Sequence, residues 1–232
     1  MLEFAPPLAF QTSSAWAFWG IVAWAYAMES LQVRRELAHA AGRSGDDHYS
    51  SVLIFVVNGG LQLLALAVSF YAPWQAAPAS RLPMFVGGLL LLLAGMALRI
   101  HSWRALGAFF THTVTIVEGH EVVASGAYRF LRHPSYLGAL MTQLGMGVAL
   151  GSWPMAAAML LGALASYAYR IEVEEAALSA ALGEAYVRFK HARPRMIPFL
   201  YCPGNGACPG AGVAYFLSCA SCSWRITAWL MS

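Results

Sequence analysis

The chain is poor in charge. Charged residues fill 11% of its 232 positions and hydrophobic residues 59%, whereas an ordinary globular domain is roughly 25% charged. A composition this apolar excludes a water-soluble domain and leaves length for several membrane spans, with a core built in lipid. Lysine is almost missing: of 14 basic residues only Lys190 is not Arg, and the net charge is a weak +3. No basic run is interleaved with aromatics, so a nucleic-acid partner is not expected. The opening MLEFAPPLAF carries Glu3 and no Lys or Arg, so it lacks the positive start of a cleavable signal. The first apolar segment is therefore expected to stay as a span. No cysteine precedes Cys202, and no histidine accompanies Cys202, Cys208, Cys219 and Cys222. Their spacing does not make a zinc ribbon, and no metal is expected. A Gly-x-Gly-x-x-Gly turn between strand and helix is also absent, which excludes a soluble-type dinucleotide fold.

Long apolar runs are present instead. Five stand out, roughly Ser14–Met28, Val52–Tyr71, Met84–Ile100, Tyr136–Leu150 and Pro154–Tyr169. A full span needs about 20 residues and at least about 17. The second and third qualify directly, and the others must borrow flanking residues. Only Gly151, Ser152 and Trp153 separate the last two, which predicts a tight helical hairpin. Arg34, Arg35 and Arg43 follow the first span, Arg99, Arg104, Arg129 and Arg132 the third, and Arg170, Arg188, Lys190, Arg193 and Arg195 the fifth. Arg81 alone falls on the other side. The positive-inside rule then puts the N-terminus outside and every basic cluster in the cytoplasm. The expected fold is an all-α integral membrane protein of about five transmembrane helices.

The loop 101–135 is expected to be cytoplasmic, with residues 113–117 extended and Gly119 and Gly126 as breaks. An amphipathic helix should continue from Arg170 to about Lys190, with Pro194 and Pro198 beyond it. Gly147 and Gly151 form a small-xxx-small pair, and Asn58, Gln62, Thr142 and Gln143 read as polar contacts between helices.

The stretch Gly126–Gly138, GAYRFLRHPSYLG, places Arg129, Arg132 and His133 just before the fourth run. Pro134 suits the first turn of a helix, where its missing N–H costs nothing. Arg132 and His133 then sit at a helix N-terminus, whose free N–H groups and partial positive charge favour an anion such as a carboxylate or phosphate. Plain interfacial anchoring accounts equally for these residues and for Tyr128 and Tyr136. A second cluster, Arg170 with Glu172, Glu174 and Glu175, follows the fifth run directly. Arg170 and Glu174 are four apart and share a face. The hairpin brings both clusters to one membrane edge, where ionisable groups are a functional hypothesis by default.

These residues resemble the isoprenylcysteine carboxyl methyltransferase family. The resemblance is carried by His120–Tyr128 (HEVVASGAY, with Val122, Val123 and Gly126), by Arg132-His-Pro-Ser-Tyr136 with Gly138, and by Arg170 with Glu174 and Glu175. Gly183-Glu-x-Tyr186 and Ile197-Pro-Phe199 complete it. It runs from about Gly107 to Leu200. It divides the chain into spans at 1–106, a methyltransferase core at 107–200 and a tail at 201–232 that has no counterpart in the family. The resemblance implies S-adenosyl-L-methionine as cofactor, in a cytoplasmic pocket built by the loop before the fourth helix and the C-terminal hairpin. It implies a prenylcysteine-like or other small lipophilic acceptor entering from the bilayer, with membrane lipids as surroundings. Within that reading Arg170 holds the acceptor carboxylate, and Glu174 fixes Arg170 or touches the cofactor. Arg132 and His133 bind the methionine carboxylate. His120, Tyr128, Tyr136 and Tyr186 wall the cofactor, Glu175 accepts from ribose, and Arg129 faces headgroups. The two glutamate roles are interchangeable at this stage. Phospholipid-amine and small-thiol methyl transfer remain alternatives of related fold. A sterol-reductase-like oxidoreductase and a non-enzymatic scaffold or transporter subunit are alternatives of other classes.

Overall fold

The computed structural model describes residues 7–39, 49–71, 78–110 and 122–196. His120, the 113–117 segment, Ile197–Phe199 and the cysteine-containing tail lie outside the described residues. Among the described residues six α-helices carry the architecture: α1 Thr12–His39, α2 Ser50–Tyr71, α3 Pro78–Leu106, α4 Pro134–Ala149, α5 Trp153–Leu182 and α6 Glu184–Ala192. Short 3-10 turns occur at Leu8–Phe10, Gly107–Phe109 and Gly126–Arg129, and no strand occurs among the described residues.

Two of these helices, over Ser50–Tyr71 and Ser80–Leu106, are long and apolar enough to cross a membrane, with 22 and 27 residues. Side chains such as Phe55 and Leu63 on α2 point outward, 80% and 71% exposed, as a lipid-facing surface requires. The fourth segment differs from expectation. It borrows only Pro134 and Ser135 and gives up Leu150: α4 has 16 residues, about 24 Å of helix, against a hydrocarbon core of about 30 Å. Pro134 starts it and Gly151, at φ +75°, turns the chain into α5. The amphipathic continuation also differs. α5 runs on through Leu182, but Gly183 adopts φ +55° and the chain restarts as α6. A Cβ at Gly183 would meet nothing within 4 Å, so the glycine serves the left-handed backbone and not a close approach.

α3 lies along α4, α4 along α5, and α5 along α2, while α1 packs on α3. The α3–α4 seam is made by glycines seven apart on each helix. A Cβ on Gly145 would fall 2.6 Å from Leu92 N and 2.7 Å from Gly88 O, and one on Gly138 2.6 Å from Gly95 O. Small residues let backbones approach where lipid supplies no hydrophobic drive. Gly147 rests on Ala156 of α5, but Gly151 meets nothing within 4 Å. The expected Gly147–Gly151 pair thus splits into one packing glycine and one turn glycine. Gly145→Ala is expected to cost about 1–3 kcal/mol by overpacking, because the atoms it meets are backbone. A thermal midpoint in detergent that matches the parent's would show that the seam can part.

Polar side chains tie the bundle further. Gln62 Nε2 donates to Gln143 Oε1 at 2.5 Å, Gln143 Nε2 to Asn58 Oδ1 at 2.8 Å, and Asn58 Nδ2 to Ser166 Oγ at 3.2 Å. Tyr26 of α1 donates its hydroxyl to Gln62. Asn58, Gln62 and Gln143 make the interhelical contacts expected of them. Thr142 instead donates to Gly138 O within its own helix, at 2.9 Å. Phe18, Leu92, Met96, Leu150 and Met159 fill the centre between α1, α3, α4 and α5.

Candidate active site

At the start of α4, Pro134 has no N–H to offer, and the two residues before it turn outward for partners. Arg132 N donates to Pro194 O and His133 N to Arg195 O, both at 2.9 Å. The strap after α6 is thereby hydrogen-bonded along the entry to α4. Arg193 Nε reinforces it by donating to Arg129 O at 3.0 Å.

One carboxylate organises this corner. Glu175, 1% exposed, accepts from Arg132 Nη1 at 2.6 Å and Arg195 Nη2 at 3.2 Å. It lies 3.2 Å from His133 Nε2 and 3.1 Å from Lys190 Nζ. Arg195 Nη1 also reaches Glu172, at 2.6 Å. Burial opposes the charge on Glu175. The His133 hydrogen bond and the charges of His133 and Arg132 outweigh it, with Lys190 adding to them, and hold the carboxyl at about 2. Burial lowers the Arg132 guanidinium from its ordinary value, against the pull of Glu175. Tyr186 sits at the edge of the corner, its hydroxyl pushed up by burial and then by Glu175 and Glu174.

A second cluster lies one aromatic layer away. The rings of His133, Tyr136 and Tyr167 stack in sequence, with centroids 5.4 and 5.0 Å apart. The Tyr136 hydroxyl donates to Glu174 Oε2 and accepts from Arg170 Nε at 3.3 Å. Arg170 Nη1 donates to Ser50 Oγ at 2.7 Å and to Ser51 Oγ at 2.8 Å. Arg170 is 2% exposed. A buried fixed cation thus faces the start of α2, a stacked tyrosine and a half-buried carboxylate. Tyr128 is buried too, and burial, followed by the Glu174 charge, raises its hydroxyl. Such an arrangement can hold an anion without carrying it through a protonation step.

Residues 88–180 match the model of the isoprenylcysteine carboxyl methyltransferase (ICMT) family. The match covers less than half of the chain, and over it this segment is similar to the ICMT family. Protein-S-isoprenylcysteine O-methyltransferase B of Arabidopsis thaliana is 34% identical over 115 residues, 49% of this chain and 58% of that protein. The Xenopus laevis protein-S-isoprenylcysteine O-methyltransferase is 33% identical over 115 residues, 40% of its length. The Homo sapiens one is 32% identical over 117 residues, 41% of its length. The matches thus span about half the length of these curated relatives. A solved structure of the eukaryotic intramembrane Ras methyltransferase ICMT shares the fold, with TM-score 0.58 and 21% identity over 85% of this chain and 69% of that one.

The ICMT segment contains Val122, Val123, Gly126, Tyr128, Arg132, His133, Tyr136, Arg170, Glu174 and Glu175. The structure gathers Tyr128, Arg132, His133, Tyr136, Arg170, Glu174 and Glu175 where the entry to α4 meets the Arg170–Glu175 turn of α5, and Tyr186 joins them from α6. Glu175 faces the cations and Glu174 faces Tyr136, which separates the two neighbouring glutamates. Val122 and Val123 are half-buried. Gly126, at φ +57°, lies against His101 of α3, whose Nε2 a Cβ there would approach to 2.9 Å.

Sequence reasoning missed four participants outside the ICMT segment. Lys190 and Arg195 were read for topology alone. The spacing Glu172, Glu175 and then Arg195 beside a proline carried no local signal, because the strap's fold-back is long-range. Ser50 and Ser51 were passed over, although paired serines opening an apolar helix could have pointed to them.

Proposed function

We propose that the protein is a membrane-embedded, S-adenosylmethionine-dependent methyltransferase that esterifies the carboxylate of a prenylcysteine-like or other small lipophilic acceptor. The proposed topology has five spans, the N-terminus outside and the site at the cytoplasmic edge, in line with the basic loops. The supporting observation is the meeting of two charge clusters, one around Glu175 and one around Arg170, across the His133–Tyr136–Tyr167 stack.

The residues fit the donor. Arg132 Nε is buried and has no hydrogen-bond partner, so this arginine can accept an anionic group while Nη1 stays on Glu175. Arg132, His133 and Tyr186 would hold the amino-acid end, with Tyr128 and Tyr136 along its flank. When bound, S-adenosylmethionine supplies a methyl group already activated on a sulfonium. The acceptor carboxylate is ionised at neutral pH, so no residue has to remove a proton. Arg170 orients that carboxylate by its fork. Tyr136 and Glu174 keep Arg170 in place, and the remaining contribution is alignment at near-attack distance. His133 Nε2 is already directed at Glu175, so it is committed to structure, which supports a carboxylate acceptor over an amine or thiol that would need a base.

The test is calorimetric binding of S-adenosylmethionine to the detergent-purified protein, parent against Arg132→Gln. Saturable binding that weakens by about tenfold or more in the variant, near 1.4 kcal/mol, is the expected outcome. No binding to a folded, helical parent sinks the assignment.

A further inference from the structure

Arg99 was expected only to mark the cytoplasmic end of a span. The structure gives it a larger set of contacts. Its Nε and Nη2 grip both oxygens of Glu29 on α1, at 2.6 and 2.8 Å. Its Nη1 reaches Ser135 O in the first turn of α4, at 3.3 Å. The guanidinium lies over the Trp103 ring, 5.1 Å from its centroid. Its stem is laid against Gly138, where a Cβ would come within 2.8 Å of Arg99 Cγ. Arg99 is 8% exposed. One guanidinium therefore joins α1, α3 and α4 at the turn that follows Arg132 and His133.

Arg99 is buried while the Glu29 side chain keeps 32% of its surface exposed, and a half-buried ion pair of this kind is weak evidence for stability, because desolvation offsets part of the attraction. Ionisable side chains at membrane depth call for a functional reason. The entry to α4 supplies one. Its strap side is fixed by Pro194 and Arg195 through main-chain bonds. On the α3 side it is Arg99 that takes hold of Ser135. Glu29 holds the guanidinium fork in the orientation that leaves Nη1 for that carbonyl.

We infer that Glu29 and Arg99 are positioning residues for the donor end of the site: α1 sets the placement of Arg132 and His133 by clamping Arg99 onto the first turn of α4. The inference rests on the methyltransferase reading above. It also makes α1, which lies outside the ICMT segment, a part of the site's machinery. The bidentate geometry is what matters, so a lysine in place of Arg99 keeps the charge and loses the clamp.

The experiment uses the full chain in detergent. It measures S-adenosylmethionine affinity by calorimetry, and methyl transfer to an S-prenylated N-acylcysteine as kcat and KM, with thermal midpoints alongside. Glu29→Gln preserves shape and removes the charge, so it carries the test where Arg99→Lys does not fold. Each variant is expected to weaken donor affinity by about tenfold, the scale of a small misplacement of aligned groups, with the acceptor KM unchanged. Glu29→Asp should recover part of the loss. Donor affinity within about twofold of the parent, beside a lowered midpoint, would reduce the pair to a structural clamp and overturn the inference. A parent that binds no S-adenosylmethionine would instead bring down the methyltransferase reading and this one with it.

Discussion

Arg170→Ala is expected to lower kcat/KM for methyl transfer by about 10²–10³-fold, the usual effect of deleting one fixed donor aimed at reacting charge. Arg170 is 2% exposed and donates to Tyr136, Ser50 and Ser51, so its guanidinium is already oriented before any acceptor arrives. Alanine removes the counter-charge for the acceptor carboxylate and leaves Glu174 facing Tyr136 alone. Arg170→Lys restores the charge without the fork, and should recover only a minor part of the rate. Initial rates with an S-prenylated N-acylcysteine, at saturating donor, make the measurement. Donor affinity should be almost unchanged in both variants, since Arg170 contacts Tyr136 and the α2 serines, whereas Arg132 and His133 are held by Glu175. Full activity in Arg170→Ala would remove Arg170 from the chemistry and reopen the scaffold reading.

Glu175→Ala acts on stability. It would strip the shared partner from Arg132, His133, Lys190 and Arg195, and removing one member of a buried ionic group costs about 3–5 kcal/mol. The pH dependence follows from the same carboxyl. Folding lowers it from 4.5 to about 2, so its contribution of about 3 kcal/mol is complete above pH 4.5. The contribution is lost as pH falls from there through about 2, because the unfolded chain takes up the proton first. Thermal midpoints of the parent and Glu175→Gln, followed from pH 7 downward, should differ most near neutrality and converge across that window. A gap that persists at pH 2 would mean that packing, and not charge, holds the corner.

Much of this site could be read in advance because its two clusters are local runs. Arg132-His-Pro-Ser-Tyr136 opens α4 and Arg170 through Glu175 lies inside α5, just past its apolar part, and the three-residue break at Gly151 folds the two stretches together. The partners of each charge were less legible. Glu174 and Glu175 are adjacent and chemically equal, and only the rotation of α5 against α4 assigns one to Tyr136 and the other to the cations. The strap that brings Arg195 back onto His133 depends on the break at Gly183, which helical periodicity through RIEVEEAALSAALGEAYVRF conceals. The Glu29–Arg99 pair spans 70 residues, and no spacing rule connects positions that far apart. Glycine spacing did carry information: Gly138 and Gly145 meet Gly95 and Gly88 at matching intervals, although the sequence reading chose Gly147 and Gly151 as the pair.

α5 has 30 residues, about 45 Å of uninterrupted helix, against a hydrocarbon core of about 30 Å. Its apolar part and its Arg170–Glu175 turn are therefore one rigid lever. A lever anchored in lipid tilts when the surrounding layer thins or thickens, and here the far arm carries the ionic groups. α4 is too short to follow the same tilt, and Arg132 and His133 stand just ahead of its first residue. In the proposed orientation the register between the two halves of the site would follow the thickness of the lipid around it, so membrane composition would bear on the proposed methyl transfer without any ligand binding.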